Sequence, residues 1–409
     1  MGSKVQPTIV PKVDVVDANS FCTAPWFVVR TQWDGEYRPC CELKPEDTEY
    51  PNREIMYNHT DSLSAWQHSG YMQHLRQQFL QGKKPPECRS CWSREQSGLL
   101  SQRQILNENL TGSSDVSSTW AKSYIRHRSD QPAVMMADVK VSHVCNYGCV
   151  MCSPADSSVL HQRWTADQSL APVKQALSKD SKFLLRVESV NQEEKCYNWL
   201  DTVLEQPLRV VKFLGGEPLL DKRALRRLRD LSKERATGIK LNFVTNGSQE
   251  IVTLAKELGS KFAQVNFVIS LEGTGSIQEW ARQGSDWSVV EQNILAAKAQ
   301  GIGVQIHHTL QAATVLRLDQ LLTWCDANQL VCTFGELEQP AHLALSVLDQ
   351  SLFEQAVKKL APWPLVRQFL HQETVDSQLV EQFRLHVAWH DQYCKDSLVR
   401  IVPELGQML

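Results

Sequence analysis

The chain has 409 residues, with 43 Lys and Arg against 46 Asp and Glu, for a formal net charge of -3. That balance supplies no bulk field for wrapping a phosphate backbone, although it leaves room for a local basic groove. A hydrophobic content of 42% with 22% charge fits a globular chain long enough for two or three domains. No apolar run approaches a membrane span and no transit or lipidation signal is visible, so a cytoplasmic location without membrane contact is expected.

Twelve cysteines are many for a reducing compartment, where tight groups of thiols serve metal ligation better than disulfides. After a tail over 1–20, residues 21–110 carry Cys22, Cys40, Cys41, Cys88 and Cys91. A hairpin turning at Asp34-Gly35 would bring Cys22 to Cys40, and a helix over 62–81 would deliver Cys88 and Cys91 to the same place. Four such ligands close either an iron–sulfur cluster or a structural zinc knuckle. Cys41 is left as a spare ligand, a substitute for Cys40 or a packed side chain.

A small polar linker is expected over 111–133, beginning at Thr111-Gly112-Ser113-Ser114. From 134 to 340, strand patterns at 134–141, 208–214, 239–245, 263–271, 304–309 and 330–334 alternate with helical patterns at 222–234, 250–258, 287–299 and 316–327. Six right-handed βα units give an α/β fold, a partial (β/α)6 barrel with ligands at the C-terminal strand ends. An inserted helical lobe is expected over 153–206, and a helical C-terminal region over 341–409, with helices at 349–360 and 378–394. The basic helix carrying Lys222, Arg223, Arg226, Arg227 and Arg229 reads as an outer face balanced by Asp221, Asp230 and Glu234. Cys196, Cys325, Cys332 and Cys394 read as ordinary packed thiols.

The chemistry-bearing residues follow strand ends. Cys145, Cys149 and Cys152, spaced C-x3-C-x2-C after the first strand, let one loop hold three corners of a cubane and leave one iron open. The second strand ends in Gly215-Gly216-Glu217-Pro218, the third in Asn246-Gly247, the fourth in Ser270-Leu271-Glu272-Gly273 and the fifth in His307-His308-Thr309. Adjacent histidines on a strand face opposite sides, so one of the pair points into the barrel.

The cysteine loop and the Gly-Gly-Glu-Pro segment together resemble the radical S-adenosylmethionine (radical SAM) enzymes. The resemblance implies a 4Fe-4S cluster on Cys145, Cys149 and Cys152, with S-adenosyl-L-methionine chelated to its open iron. Gly215 and Gly216 would approach the SAM amino group, and Glu217 would accept from it. Asn246 and Ser270 would contact the ribose and carboxylate, and Tyr147 and Met151 would help hold the adenine. Met151 departs from the aromatic that many relatives carry there. Glu272 stands where similar enzymes place an Asp and is the candidate acid/base, with Arg282 an anchor for an anionic group.

The front cysteines resemble the auxiliary-cluster module called SPASM or twitch, which implies a second 4Fe-4S cluster on Cys22, Cys40, Cys88 and Cys91. Relatives usually carry that module after the barrel, whereas here it comes first. The class implies reduction by a flavodoxin or ferredoxin, and a 5'-deoxyadenosyl radical that isomerises, oxidises or joins an amino-acid-bearing substrate. The substrate is a peptide, a small molecule or a modified nucleobase. The short stretch ahead of Phe21 leaves no room for the leader-binding domain common in peptide-modifying members. The alternatives are a phage-type DNA hypermodification isomerase acting on an amino-acid-modified thymine, a peptide-maturation enzyme, and a non-catalytic cluster or zinc scaffold.

Overall fold

The structure is a computed structural model that describes residues 19–31, 37–44, 47–51, 62–111, 131–140, 142–166, 193–337, 339–371 and 375–409. The chain divides into two compact units, one within 1–31, 36–138 and 202–209, the other within 32–35, 139–201 and 210–409.

In the first unit, β1 (Val28–Thr31) pairs antiparallel with β2 (Tyr37–Arg38), as the expected hairpin requires. Its turn at 34–35 lies outside the described residues. The first residues of β3 (Met136–Lys140) lie parallel to β1. The single helix expected over 62–81 is two helices, Leu63–Gln67 and Gly70–Leu80, because Ser69 caps the second one. Ser62 and Ser69 each accept a hydrogen bond from a backbone N–H three residues on, at 3.2 and 3.3 Å. Serine favours that position over a helix interior. Thr111 ends the helix Gln102–Thr111 instead of opening a linker, and residues 112–130 lie outside the described set.

In the second unit, β5 (Val210–Leu214), β6 (Lys240–Thr245), β7 (Gln264–Ser270), β9 (Gly303–Leu310) and β10 (Cys332–Glu336) run parallel. Their order is β10-β9-β7-β6-β5, with β3 next to β5. This is the open six-stranded α/β partial barrel. A separate antiparallel pair joins β4 (Gly148–Cys149) to β8 (Arg282–Gln283). The helix expected over 222–234 stops at Asp230 and restarts at Lys233, where Ser232 caps the short helix Lys233–Ala236. Of the inserted lobe, helices Ser158–Ala166 and Glu193–Leu204 are described, and 167–192 lie outside the described residues. The C-terminal region supplies Gln350–Lys359 and Ser377–Asp391. Among the described residues no helix is long and apolar enough to cross a membrane.

Strand alternation divides the sheet into two unlike faces. On one, Phe213, Phe243 and Phe267 are paired in register and stack at 5.4 and 5.6 Å, almost wholly buried. On the other lie the half-buried Lys212, Asn242, Asn266, Gln305 and His307, with Asn266 Nδ2 donating to Asn242 Oδ1 at 2.9 Å. The packed face sets the register, since a one-residue slip would exchange phenylalanines for these polar groups.

The basic helix Lys222–Asp230 finds partners other than those expected. Arg227 pairs with Asp201 and Arg229 with Glu257, while Arg223 lies over the Tyr197 ring at 3.9 Å. Asp221 serves as its N-cap, accepting from the backbone N–H of Arg223 and Ala224 and from the Tyr197 hydroxyl at 2.8 Å. Asp221→Ala should therefore lower stability by roughly 2–3 kcal/mol, the worth of a cap plus one buried charge-assisted bond. Urea unfolding of the apo chain checks this, with Asp221→Asn, which keeps a capping oxygen, recovering most of the loss.

Candidate active site

The cysteine loop begins where β3 ends and is held from three sides. Cys145 N donates to Ser158 Oγ at 3.0 Å, and the Ser157 hydroxyl donates to the Tyr147 carbonyl at 2.7 Å. Cys149 lies on β4 in register with Arg282, and Val150 N donates to Ala281 O at 2.8 Å. Cys152 N closes a turn onto Cys149 O at 3.1 Å. The x3 and x2 spacers thus become an open loop and a tight turn, and Cys152 feels the charges of Cys149 and Cys145. Cys152 also packs against the cluster of Leu160, Trp164 and Trp389, with Leu385 and Tyr393 beside it. The helix Ser377–Asp391, which sequence reasoning left without a role, supplies part of that wall.

Two of the three sulfurs already accept hydrogen bonds. Tyr147 N donates to Cys145 Sγ at 3.4 Å, and Arg282 Nη1 to Cys149 Sγ at 3.7 Å. Such donors suit sulfurs that carry negative charge when they ligate iron. Without metal, burial raises all three thiol pKa values. Cys149 is pushed up to about 12 against the opposing pull of Arg282, and Cys152 is raised further by Asp156 in addition to burial.

The Gly-Gly-Glu segment docks on this loop through backbone. Gly216 N donates to Ser142 O at 3.3 Å and Glu217 N to Val144 O at 2.7 Å. A Cβ on Gly216 would collide with the carbonyl oxygens of Val144 and His143, the latter at 2.6 Å, and one on Gly215 would meet Ser142 O at 2.8 Å. Gly215 also has φ +141, which favours glycine. The close approach expected of these glycines is therefore met in full by the cysteine loop.

Glu217 is buried, with three protein donors on its carboxylate. Leu219 N lies at 3.0 Å and Thr245 Oγ1 at 2.7 Å from Oε1, and Asn246 N at 2.7 Å from Oε2. Burial raises its pKa and these donors oppose the rise. About one of the four acceptor positions of a carboxylate is left, on Oε2. Asn246 Nδ2 donates to Asn146 Oδ1 at 2.9 Å, and Asn146 Nδ2 to Ser248 Oγ at 3.1 Å, tying the loops after β3 and β6 together. Tyr147 is buried, Met151 is half-buried in the turn before Cys152, and Ser270 ends β7 on the half-buried face.

Glu272, expected at the substrate mouth, has no exposed surface. It accepts from Arg282 Nη2 at 2.7 Å, Gln311 Nε2 at 3.2 Å and Thr309 N at 3.3 Å, with His308 Nδ1 3.5 Å away. Arg282, expected to anchor an anionic group, directs Nη2 to Glu272 and Nη1 to Cys149. Burial pulls its pKa down, but Cys149 and Glu272 hold it above the ordinary value. The histidine pair divides as alternation requires. His308 is fully buried, and His307 lies half-buried in register with Thr333, to whose Oγ1 it bonds at 3.1 Å. Burial, with help from Lys212, lowers His307 to about 4.

The first unit holds a second cysteine site. A pocket is lined by Cys22, Cys40, Cys88 and Cys91 together with Phe79 and Arg103. Cys41 is not among its lining residues; its Sγ lies 3.8 Å from Glu42 Oε1. The helix Gln102–Thr111, which the motif gave no reason to include, fixes the Cys22 end. Arg103 Nη1 and Asn107 Nδ2 donate to Phe21 O at 2.7 and 3.0 Å, and Asn107 Oδ1 accepts from Thr23 N at 2.9 Å. Burial raises the four thiols, Cys22 to about 12, and Cys40 and Cys88 feel their neighbouring thiols as well. Among the described residues, no three His, Cys, Asp or Glu side chains converge as ligands of a single ion.

A cysteine loop and a glycine-rich segment thus stand together at adjoining strand ends of a partial barrel. Residues 139–315 match the family model of the radical SAM superfamily, and this segment is a radical SAM domain. That family implies a 4Fe-4S cluster and S-adenosylmethionine. Similar curated proteins include the GTP 3',8-cyclase of Nitrobacter hamburgensis, 26% identical over 179 residues, and that of Nitrobacter winogradskyi, 28% over 182. Each match takes in 43% of this chain and 52% of the relative, so the chain spans about half the length of the curated relatives it matches. Among solved structures, anSMEcpe with bound AdoMet and Kp18Cys peptide is 17% identical with a TM-score of 0.39, covering 59% of this chain and 62% of that one. Streptococcus suis SuiB bound to S-adenosylmethionine is 13% identical with a TM-score of 0.35, covering 65% and 53%.

Glu217 is the hub of this site, so Glu217→Ala should cost roughly 2–4 kcal/mol of stability by leaving buried donors unpaired. Urea unfolding of the apo chain measures it, and Glu217→Gln should recover part of the loss.

Proposed function

We propose that Cys145, Cys149 and Cys152 hold a 4Fe-4S cluster whose open iron binds S-adenosyl-L-methionine, and that the chain uses it for radical chemistry on an amino-acid-bearing substrate. The observation that carries this is the backbone docking of Gly216 and Glu217 on Ser142 and Val144, which fixes the glycine segment beside the three thiols. Held by Cys145, Cys149 and Cys152, the cluster would supply one-electron reduction of S-adenosyl-L-methionine as the source of radical chemistry on the substrate.

The chain's own residues bind and orient. The remaining lone pair of Glu217 Oε2 is available to the SAM amino group, beside the Gly215–Gly216 segment docked on the cysteine loop. Asn246, Ser270, Tyr147 and Met151 frame the nucleoside. Lys212 and His307, on the half-buried face, offer a cation and a neutral imidazole toward a polar substrate.

We assign the cavity lined by Cys22, Cys40, Cys88 and Cys91 to a second, auxiliary 4Fe-4S cluster. The four thiols line one pocket, and thiol ligands of a cluster give up their protons on binding iron. The electron comes from a low-potential carrier of the flavodoxin or ferredoxin class. The two curated relatives match 43% of this chain and 52% of their own length, so their name adds GTP to the substrates worth testing without displacing the amino-acid-bearing class.

Anaerobic reconstitution with iron and sulfide should give about eight irons per chain, two cubanes. Cys22→Ala with Cys88→Ala should leave about four, whereas about four irons and one zinc in the unaltered chain would make the front site a zinc knuckle. Cys145→Ala with Cys149→Ala and Cys152→Ala should abolish 5'-deoxyadenosine formation, assayed with peptide, nucleoside, DNA and GTP substrates. Retained formation in that variant would overturn the reading, and a reconstituted chain inert toward SAM would leave a scaffold.

A further inference from the structure

Arg282 joins a buried carboxylate to a cluster cysteine. Its Nη2 donates to Glu272 Oε1 at 2.7 Å and its Nη1 to Cys149 Sγ at 3.7 Å. The side chain is only 12% exposed and that of Glu272 0%. The arrangement is built at two levels. Arg282 faces Cys149 across the β4–β8 pair, while Thr309 N and Gln311 Nε2 hold Glu272 from the far side. Both Arg282 Nη groups are engaged, although its buried Nε keeps no partner among the described residues, and the pair stands where its charges bear on the cysteine loop.

We propose that Arg282 and Glu272 form a charge pair that sets the reduction potential of the cluster held by Cys145, Cys149 and Cys152, with Arg282 acting on the Cys149 sulfur and Glu272 positioning Arg282. The inference rests on the cluster assignment made above. Reduction adds one electron to the cluster, supplied by the external one-electron carrier. A guanidinium donor at a ligating sulfur stabilises that added negative charge and raises the potential, and a nearby carboxylate opposes it. Burial keeps both effects from being screened by water. Arginine suits the position because its planar fork can serve two acceptors at once, which an ammonium point charge does less well.

The two members therefore shift the potential in opposite directions. Arg282→Gln removes the cation and leaves the carboxylate, so the reduction equilibrium should become at least tenfold less favourable, a fall of 59 mV or more for a one-electron couple. Glu272→Gln removes the opposing charge, so the potential should rise. Arg282→Lys should lie between the unaltered chain and Arg282→Gln.

The measurement is a redox titration of the anaerobically reconstituted full chain, followed by electron paramagnetic resonance in the absence of SAM. The signal belonging to this cluster is the one that Cys145→Ala removes. If Cys145→Ala removes no signal, the cluster assignment itself fails. If the signal is present and both Arg282→Gln and Glu272→Gln leave its midpoint within a twofold change in the equilibrium, or shift it in the same direction, the charge-pair proposal fails while the cluster assignment stands. A purely structural role for Arg282 would lower iron content or thermal stability without moving the two midpoints in opposite directions.

Discussion

The close contact of two backbones, Gly215–Glu217 against Ser142–Val144, is the constraint on which the site depends. The contact is made by backbone, because a single methyl group on Gly216 would strike carbonyl oxygen. The loop after β3 and the loop after β5 are thus one object, stapled by Glu217 N on Val144 O. Glu217 then extends the staple to β6 by taking Thr245 Oγ1 and Asn246 N on its carboxylate. A carboxylate buried with three donors cannot be replaced by an apolar group of similar size without leaving those donors unpaired. The fold and the cofactor site are therefore one energetic unit, and the parallel strands serve to bring their ends within reach of it.

The sheet below shows how the same strands perform two tasks. One face, with Phe213, Phe243 and Phe267 in register, is an apolar stack that fixes strand pairing. The other holds Lys212, Asn242, Asn266 and His307, polar groups that a packed core would reject unless they faced one another or a ligand. Period-two alternation lets every residue of a strand contribute to stability or to chemistry without conflict.

Much of this was legible in the sequence because it is written in short-range terms. Strand and helix periods placed all six strands of the partial barrel, and the helix Trp287–Ala299 matches its expected bounds. Breaks inside runs were harder to see. Ser69 and Ser232 end helices that the apolar period alone would continue, since a cap is a local hydrogen bond and not a pattern. The cysteine loop and Gly-Gly-Glu were visible as motifs, but the partner of Gly216 was not, because it lies more than 70 positions earlier in the chain. The engagement of Glu272 with Arg282 stayed hidden for a related reason. Strands β4 and β8 have two residues each, too few to carry a period, yet their pairing is what turns Arg282 toward Cys149. In the front unit, the four cysteines could be grouped by spacing, while Asn107 and Arg103, which hold the Cys22 end, carry no signal in a cysteine count.

The packing of Cys152 against Trp164, Trp389 and Tyr393 bears on how the protein is made. Synthesis runs from the N-terminus, and domains commonly begin to fold as they emerge. A nascent chain that has reached the end of β10 already displays Cys145, Cys149 and Cys152, but Trp389 is still more than 50 residues from being joined. During that interval the thiols lack one wall of their chamber and stand open to oxidation. The wall beside Cys152 is complete only once the helix Ser377–Asp391 has been made, so the order of translation places its closure after the barrel.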